Sequence, residues 1–261
     1  PRVTSDAVRL SDACDVRMTE QTEIPTAQRP HRFATLMELR APVVWATIIL
    51  HMPSLLRAPR GDGRPVMLLP GYGTDESSMR PLGRYLRHLG YDVYDWGLGR
   101  NRGEVDTYTQ MIGERTQELH EQLGGVPLTL IGWSLGGVIA RETARLFAPY
   151  VREVITLGTP IVGGPKYTAA ANQFAEASNL DLDEFEKEVH ARNSQGIRQP
   201  VTSIYSKLDG VVGWRASVDN YNEHARNIKV YSSHFGIGAN GRVWRLLADI
   251  LGNETAQPAR D

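Results

Sequence analysis

Gly132-Trp133-Ser134-Leu135-Gly136 sets a serine between two glycines, each two residues away. An apolar segment with Leu128, Leu130 and Ile131 precedes it, and Val138, Ile139, Ala144 and Leu146 follow at helical spacing. A serine on a tight strand-to-helix turn has a strained backbone, and the residues two away on either side crowd together, so only very small side chains fit there. The helix that starts at Leu135 also aims free amides and its positive dipole end at the reacting centre. Without its flanks the pentapeptide reads as a glycine-rich turn. Between a strand and a helix it reads as a nucleophile's seat.

A serine hydroxyl is a poor nucleophile until a base takes its proton, and that base needs an orienting acid. On an elbow of this kind the acid and then the histidine follow the serine in the chain. Of seven histidines, His31 and His51 precede the sheet pattern, His88 and His120 lie in or at the ends of flanking helices, His190 falls in an inserted stretch, and His224 comes before the last strand. Only His234 directly follows that strand, in Tyr231-Ser232-Ser233-His234-Phe235-Gly236, and it is the expected base. Asp209, in the turn after Val201 to Tyr205, is the expected acid, with Asp219 and Glu223 as rivals. As an Asp-Gly pair, Asp209 also reads as a simple turn former. An oxyanion hole needs two amides aimed at the developing charge. Leu135 would supply one, and Tyr72 in Pro70-Gly71-Tyr72-Gly73-Thr74 the other. Trp133, Trp96 and Trp214 are candidate walls of an apolar acyl pocket, though each suits a core equally well.

These residues need a scaffold, and the pattern supplies one. Pro65 to Leu69 reads as a buried strand after the turn cluster at Pro59 to Gly63. Met79, Leu82, Leu86 and Leu89 repeat at helical spacing with Gly90 as a stop. Strands at Tyr91 to Trp96, Val126 to Ile131 and Val151 to Leu157 alternate with helices at Glu104 to Leu123 and Leu135 to Phe147. Such alternation predicts a mostly parallel central sheet with flanking helices, whose reactive groups lie beyond the carboxyl ends of the strands. The alternation breaks between Ile161 and Gln199, and this stretch is expected to form a small helical cap insertion. A crossover helix with long loops is the simpler alternative. Pro200 to Tyr205 and Asn227 to Tyr231 resume as strands, and Arg242 to Leu251 closes as a helix. The expected organisation is a mobile segment over 1–30 and one domain over 31–261, with the cap at about 161–199. Met18 is a candidate native start.

Composition removes several classes of function. The net charge of −1, from 29 basic and 30 acidic residues, provides no single-sign field for nucleic acid. The longest apolar run, Val43 to Leu50, is far short of the roughly 20 residues that span a bilayer. It reads as a helix or arm packed on the body, or as an interfacial segment near a lipid substrate. A single cysteine, Cys14, fits a cytoplasmic location and is also compatible with peripheral membrane contact or export. Gly97-Leu98-Gly99 with Gly103 lacks dinucleotide spacing, there is no phosphate loop, and no histidine or carboxylate cluster has metal-ligand spacing. No cofactor and no metal are expected.

Taken together, Pro70-Gly71-Tyr72-Gly73, Trp96-Gly97-Leu98-Gly99-Arg100-Asn101, the Ser134 pentapeptide, Leu157-Gly158-Thr159-Pro160, and Ser203-Ile204-Tyr205 leading to Asp209 resemble bacterial α/β-hydrolases of the esterase/lipase type over roughly Pro59 to Leu251. The resemblance implies the α/β-hydrolase fold, a Ser134, Asp209, His234 triad, an oxyanion hole at Tyr72 and Leu135, and a small-molecule ester substrate with an apolar acyl group. Pro70 stands where many lipases carry histidine, and Ile161-Val162 follows Gly-Thr-Pro without the histidine frequent in triacylglycerol lipases. Both departures point to an esterase more than to a long-chain lipase. Acyl transfer by the same triad and a non-catalytic ligand-binding version of the fold are the alternatives.

Overall fold

The computed structural model describes residues 23–253. The sheet has six strands, all parallel: β1 (Pro65–Leu69), β2 (Asp92–Asp95), β3 (Leu128–Trp133), β4 (Val151–Leu157), β5 (Val201–Ser206) and β6 (Arg226–Val230), in the order β2-β1-β3-β4-β5-β6. Parallel strands need crossovers, and helices provide them. These are α3 (Arg80–Leu89), α4 (Val105–Gln122) and α5 (Leu135–Leu146); before them lie α1 (Arg32–Met37) and α2 (Ala41–Leu56). Later come α6 (Ala171–Ser178), α7 (Leu182–Ser194), the single turn α8 (His234–Ile237) and α9 (Gly241–Asn253).

Strand side chains alternate between faces, and β1 displays this directly. Val66 and Leu68 join Leu82, Leu86, Val243 and Leu247 in one buried cluster, beneath α3 and α9. Met67 and Leu69 join Ile112, Ile139 and Ala140 in the other, beneath α4 and α5. Each fully buried aliphatic side chain contributes roughly 1.5–3 kcal/mol over leaving it in water. The two clusters clamp the sheet from both sides.

The element boundaries differ from expectation by a residue or two, as at β2, which begins at Asp92 and ends at Asp95. The stretch Val43 to Leu50 lies inside α2, a 16-residue helix that continues through Pro53. No helix among the described residues is long and apolar enough to cross a membrane. Cys14 and Met18 lie outside the described residues, as do residues 1–22 of the N-terminal stretch; Arg29, near its end, donates to the Lys166 carbonyl at 3.1 Å and to Asn172 Oδ1 at 3.0 Å.

Between β4 and β5 the chain forms a 3₁₀ turn (Gly164–Tyr167), α6 and α7. Asp181 caps α7 by accepting the amides of Asp183 and Glu184. Buried Glu186 binds Lys166 and the Tyr167 hydroxyl, fastening α7 to that turn. Hydrogen bonds to Asp183 and Glu186 raise the Lys166 pKa. Burial and the bond to Glu186 push the Tyr167 phenol up to about 12.

Candidate active site

Ser134 sits in the bend between β3 and α5 with φ 54° and ψ −123°, a left-handed backbone that an L-residue adopts at a cost of about 1–3 kcal/mol. Two backbone bonds hold it there. Its amide donates to the Leu157 carbonyl at 2.9 Å, and its carbonyl accepts from Gly137 at 3.0 Å. The glycine requirement has a measurable cause. A Cβ on Gly132 would lie 2.4 Å from the Gly136 carbonyl oxygen, and one on Gly136 would lie 2.3 Å from that of Leu69. Gly137, a third glycine, faces Thr159 so closely that a Cβ would come within 1.9 Å of its hydroxyl.

Asp209 and His234 meet at the same sheet edge. Both are buried, and His234 Nδ1 lies 2.8 Å from Asp209 Oδ2. The other carboxylate oxygen, Oδ1, accepts the amides of Val211 at 2.9 Å and Val212 at 2.7 Å, which leaves Oδ2 aimed at the ring. A ring nitrogen bonded to a carboxylate carries the proton as donor, so Nε2 is left as the basic nitrogen. Gly158, at φ 55°, passes close beneath the pair: a Cβ there would meet Asp209 Oδ2 at 2.9 Å and His234 Nδ1 at 3.2 Å.

Trp133 couples this pair to the elbow. Its indole N–H donates to the His234 carbonyl at 3.2 Å, and its ring centroid lies 5.6 Å from the imidazole. The residue beside Ser134 is thereby fixed to the loop that carries His234.

The loop after β1 closes the other side. Gly71 packs against the elbow, where a Cβ would approach Ser134 Cβ to 3.2 Å. Buried Asn101 shapes this loop: its side-chain amide donates to the Pro70 carbonyl at 2.9 Å, its backbone carbonyl accepts from Gly73 at 2.7 Å, and its amide donates to Thr74 at 2.8 Å. Among the described residues the Tyr72 and Leu135 amides have no hydrogen-bond acceptor. For Leu135 this follows from its place at the start of a helix, where amides lack intrahelical partners.

The structure separates the three tryptophans. Trp96 is fully buried among the α4 and α5 side chains, edge-on to Tyr108, with its indole N–H on the Gly99 carbonyl. Trp214 stacks on Tyr205 beneath the Lys207 and Arg215 cations. Only Trp133 of the three touches His234. Aromatic type alone could not separate wall from core, because both environments favour large apolar rings.

The rival acids and bases have other partners or are exposed. Asp219 forms a buried ion pair with Arg141 at 2.5 Å and also accepts from Tyr221 and Asn222. Burial pushes its carboxyl up, but the Arg141 charge and these bonds outweigh burial and hold it below the usual carboxylate range. Glu223 is exposed. His51 binds the Thr47 carbonyl and accepts from Arg242, and His190 bonds to Tyr221. His31, His88 and His224 are exposed, while His120 packs edge-on to Tyr150.

Three participants escape a reading of the sequence. Ser206 accepts the amides of Leu208 and Ser232, both at 3.1 Å, and so joins the two loops that carry Asp209 and His234. Asn101 was visible only as part of a motif, and Glu38, from the turn after α1, accepts amides in both loops. A glutamate between the exposed Leu36 and Leu39 resembles any surface residue.

The sequence profile of the alpha/beta hydrolase family matches residues 66–253, nearly three quarters of the chain. The chain belongs to the alpha/beta hydrolase family. This α/β-hydrolase is 32% identical to an indigoidine synthase of Streptomyces lavendulae over 117 residues, 44% of the chain but 9% of that protein. It is 26% identical over 120 residues to the pimeloyl-[acyl-carrier protein] methyl ester esterase of Shewanella sp. (strain MR-7), covering 44% of the chain and 42% of the esterase. The chain therefore aligns with less than half the length of either relative. Among solved structures, it superposes on the Paleococcus ferrophilus monoacylglycerol lipase with a TM-score of 0.56 at 15% identity, over 75% of this chain and 96% of that one. The Bacillus licheniformis lipase BlEst2 gives a TM-score of 0.55 at 14% identity, over 75% and 94%. At such identities these likenesses establish the shared fold.

Proposed function

We propose that this α/β-hydrolase cleaves carboxylic esters through an acyl-enzyme, with Ser134 as nucleophile, His234 as base and Asp209 as orienting acid. The observation that carries the reading is the buried 2.8 Å bond between Asp209 and His234, at the sheet edge where Ser134 sits on its strained bend. Ser134 Oγ attacks the ester carbonyl as its proton passes to His234 Nε2. The oxyanion that forms takes the Tyr72 and Leu135 amides. The C–O bond to the alcohol then breaks, and the departing oxygen receives the proton held by His234. Water repeats the sequence on the acyl-enzyme, releasing the acid and restoring Ser134.

Exposed Tyr72 and Phe235 flank this centre; the Phe235 ring stands edge-on to both Trp133 and His234. They favour an apolar acyl group on a small-molecule ester. The name of the Shewanella relative specifies a methyl ester, which supports ester cleavage and a small leaving alcohol here.

Ser134→Ala should reduce p-nitrophenyl ester turnover by about ten-thousandfold or more. Turnover within tenfold of the wild type would remove Ser134 from the role. The wild-type rate should also fall on acidification, since a protonated imidazole cannot accept the serine proton. Acyl transfer would appear as a new ester when an added alcohol competes with water.

A further inference from the structure

We infer that Glu38, on the N-terminal arm that precedes the family domain, is a positioning residue for the acid–histidine pair; the inference rests on the hydrolase reading above. One carboxylate spans both loops. Glu38 Oε1 accepts the Gly210 amide at 2.8 Å and the His234 amide at 2.7 Å, and Oε2 accepts the Phe235 amide at 3.0 Å. Gly210 directly follows Asp209, so Glu38 holds the backbone of both partners whose side chains meet at 2.8 Å. The donors lie 172, 196 and 197 residues further along the chain.

The arm is built to keep the carboxylate there. Thr35 Oγ1 donates to the Gly210 carbonyl at 3.0 Å, so Gly210 is gripped through both its amide and its carbonyl. Its missing side chain makes the grip possible, because a Cβ on Gly210 would lie 2.3 Å from the Ala34 carbonyl oxygen. Further along, the Gly241 amide donates to Thr47 Oγ1 at 3.1 Å, tying α2 to the start of α9 just beyond the histidine loop. Thr35, Glu38 and Thr47 all lie outside the matched residues 66–253. An element added to the family domain thus sets the register between its acid loop and its base loop. A shift of about 1 Å between such groups is enough to cost about a hundredfold in rate.

The test compares the wild-type chain with E38A, E38Q and Ser134→Ala. The readouts are kcat and KM on a p-nitrophenyl ester, the rate of fluorophosphonate labelling, and the far-downfield proton resonance of His234 Nδ1–H against Asp209. E38A should lower kcat and labelling by about 10- to 100-fold, leave KM within about twofold, and displace or broaden that resonance. E38Q retains one acceptor oxygen at similar length and should fall between wild type and E38A. A folded E38A with kcat, labelling and resonance all unchanged would reduce Glu38 to an anchor for the arm and overturn the inference. Should E38A fail to fold, the same readouts on E38Q decide: an intermediate loss supports the role and wild-type values overturn it. A wild type that neither labels nor loses turnover on Ser134→Ala would sink the hydrolase reading itself, and this role with it.

Discussion

Asp209 divides its two oxygens between different tasks, and this division makes its contribution testable. Oδ1 is consumed by two backbone amides, and Oδ2 alone faces the imidazole. An asparagine in its place could keep the loop bonds but would present an N–H to Nδ1. The ring would then carry its proton on the nitrogen that should accept from Ser134. Asp209→Asn is expected to lower kcat by about ten-thousandfold with little loss of stability, as the tautomer argument requires. An esterase assay retaining a tenth of wild-type turnover would reject this. Gly158 gives an independent probe, because an added Cβ wedges between carboxylate and ring. Gly158→Ala should therefore depress kcat more than KM, and equal changes in both would point to a general disturbance.

The helix α5 begins directly after Ser134, and one of its side chains belongs to a buried ion pair. Arg141 on α5 binds Asp219 in the connection between β5 and β6, with both side chains almost wholly buried. Removing one partner of such a pair leaves an uncompensated buried charge and typically costs about 3–5 kcal/mol. Asp219→Ala should thus lose about that much stability in urea denaturation at pH 7. The Asp219 carboxyl titrates below its unfolded value, so its contribution is present above the ordinary carboxylate range, near 3.9, and is lost as pH falls through the depressed value. The gap between wild type and variant should narrow below about pH 4. A gap that stayed constant down to pH 2 would contradict the assignment.

At the scale of the molecule, the N-terminal arm reaches the segment between β4 and β5 as well as the candidate active site. Arg29 bonds to Lys166 and Asn172, between β4 and β5, while the backbone at Gln28 lies against Gly213. A Cβ on Gly213 would fall 1.7 Å from the Gln28 carbonyl oxygen, so no larger residue fits while the arm is seated. Gly213→Ala is expected to displace residues 23–30, costing about 1–3 kcal/mol and lowering Tm by several degrees. Faster amide exchange confined to the arm and to the segment between β4 and β5 would accompany it. Unchanged exchange there would mean that the arm does not depend on this contact.

Short-range patterning was enough to define the alternation of strands and helices, the bend that carries Ser134, and the placement of His234 beyond the last strand. These features depend on residues only a few positions apart, whose steric and apolar preferences are local. Partner choice is a different kind of information. The bond of Asp209 to His234, and of Asp219 to Arg141, depends on where β5 and β6 end relative to one another, which is a property of sheet register. Trp96 in the core and Trp133 against the imidazole are the same residue type in different packing. Glu38 left no signature because its three donors are backbone amides, which every residue but proline carries. Only folding brings one carboxylate to those particular three, and so the tertiary structure alone decided that the arm reaches the candidate site.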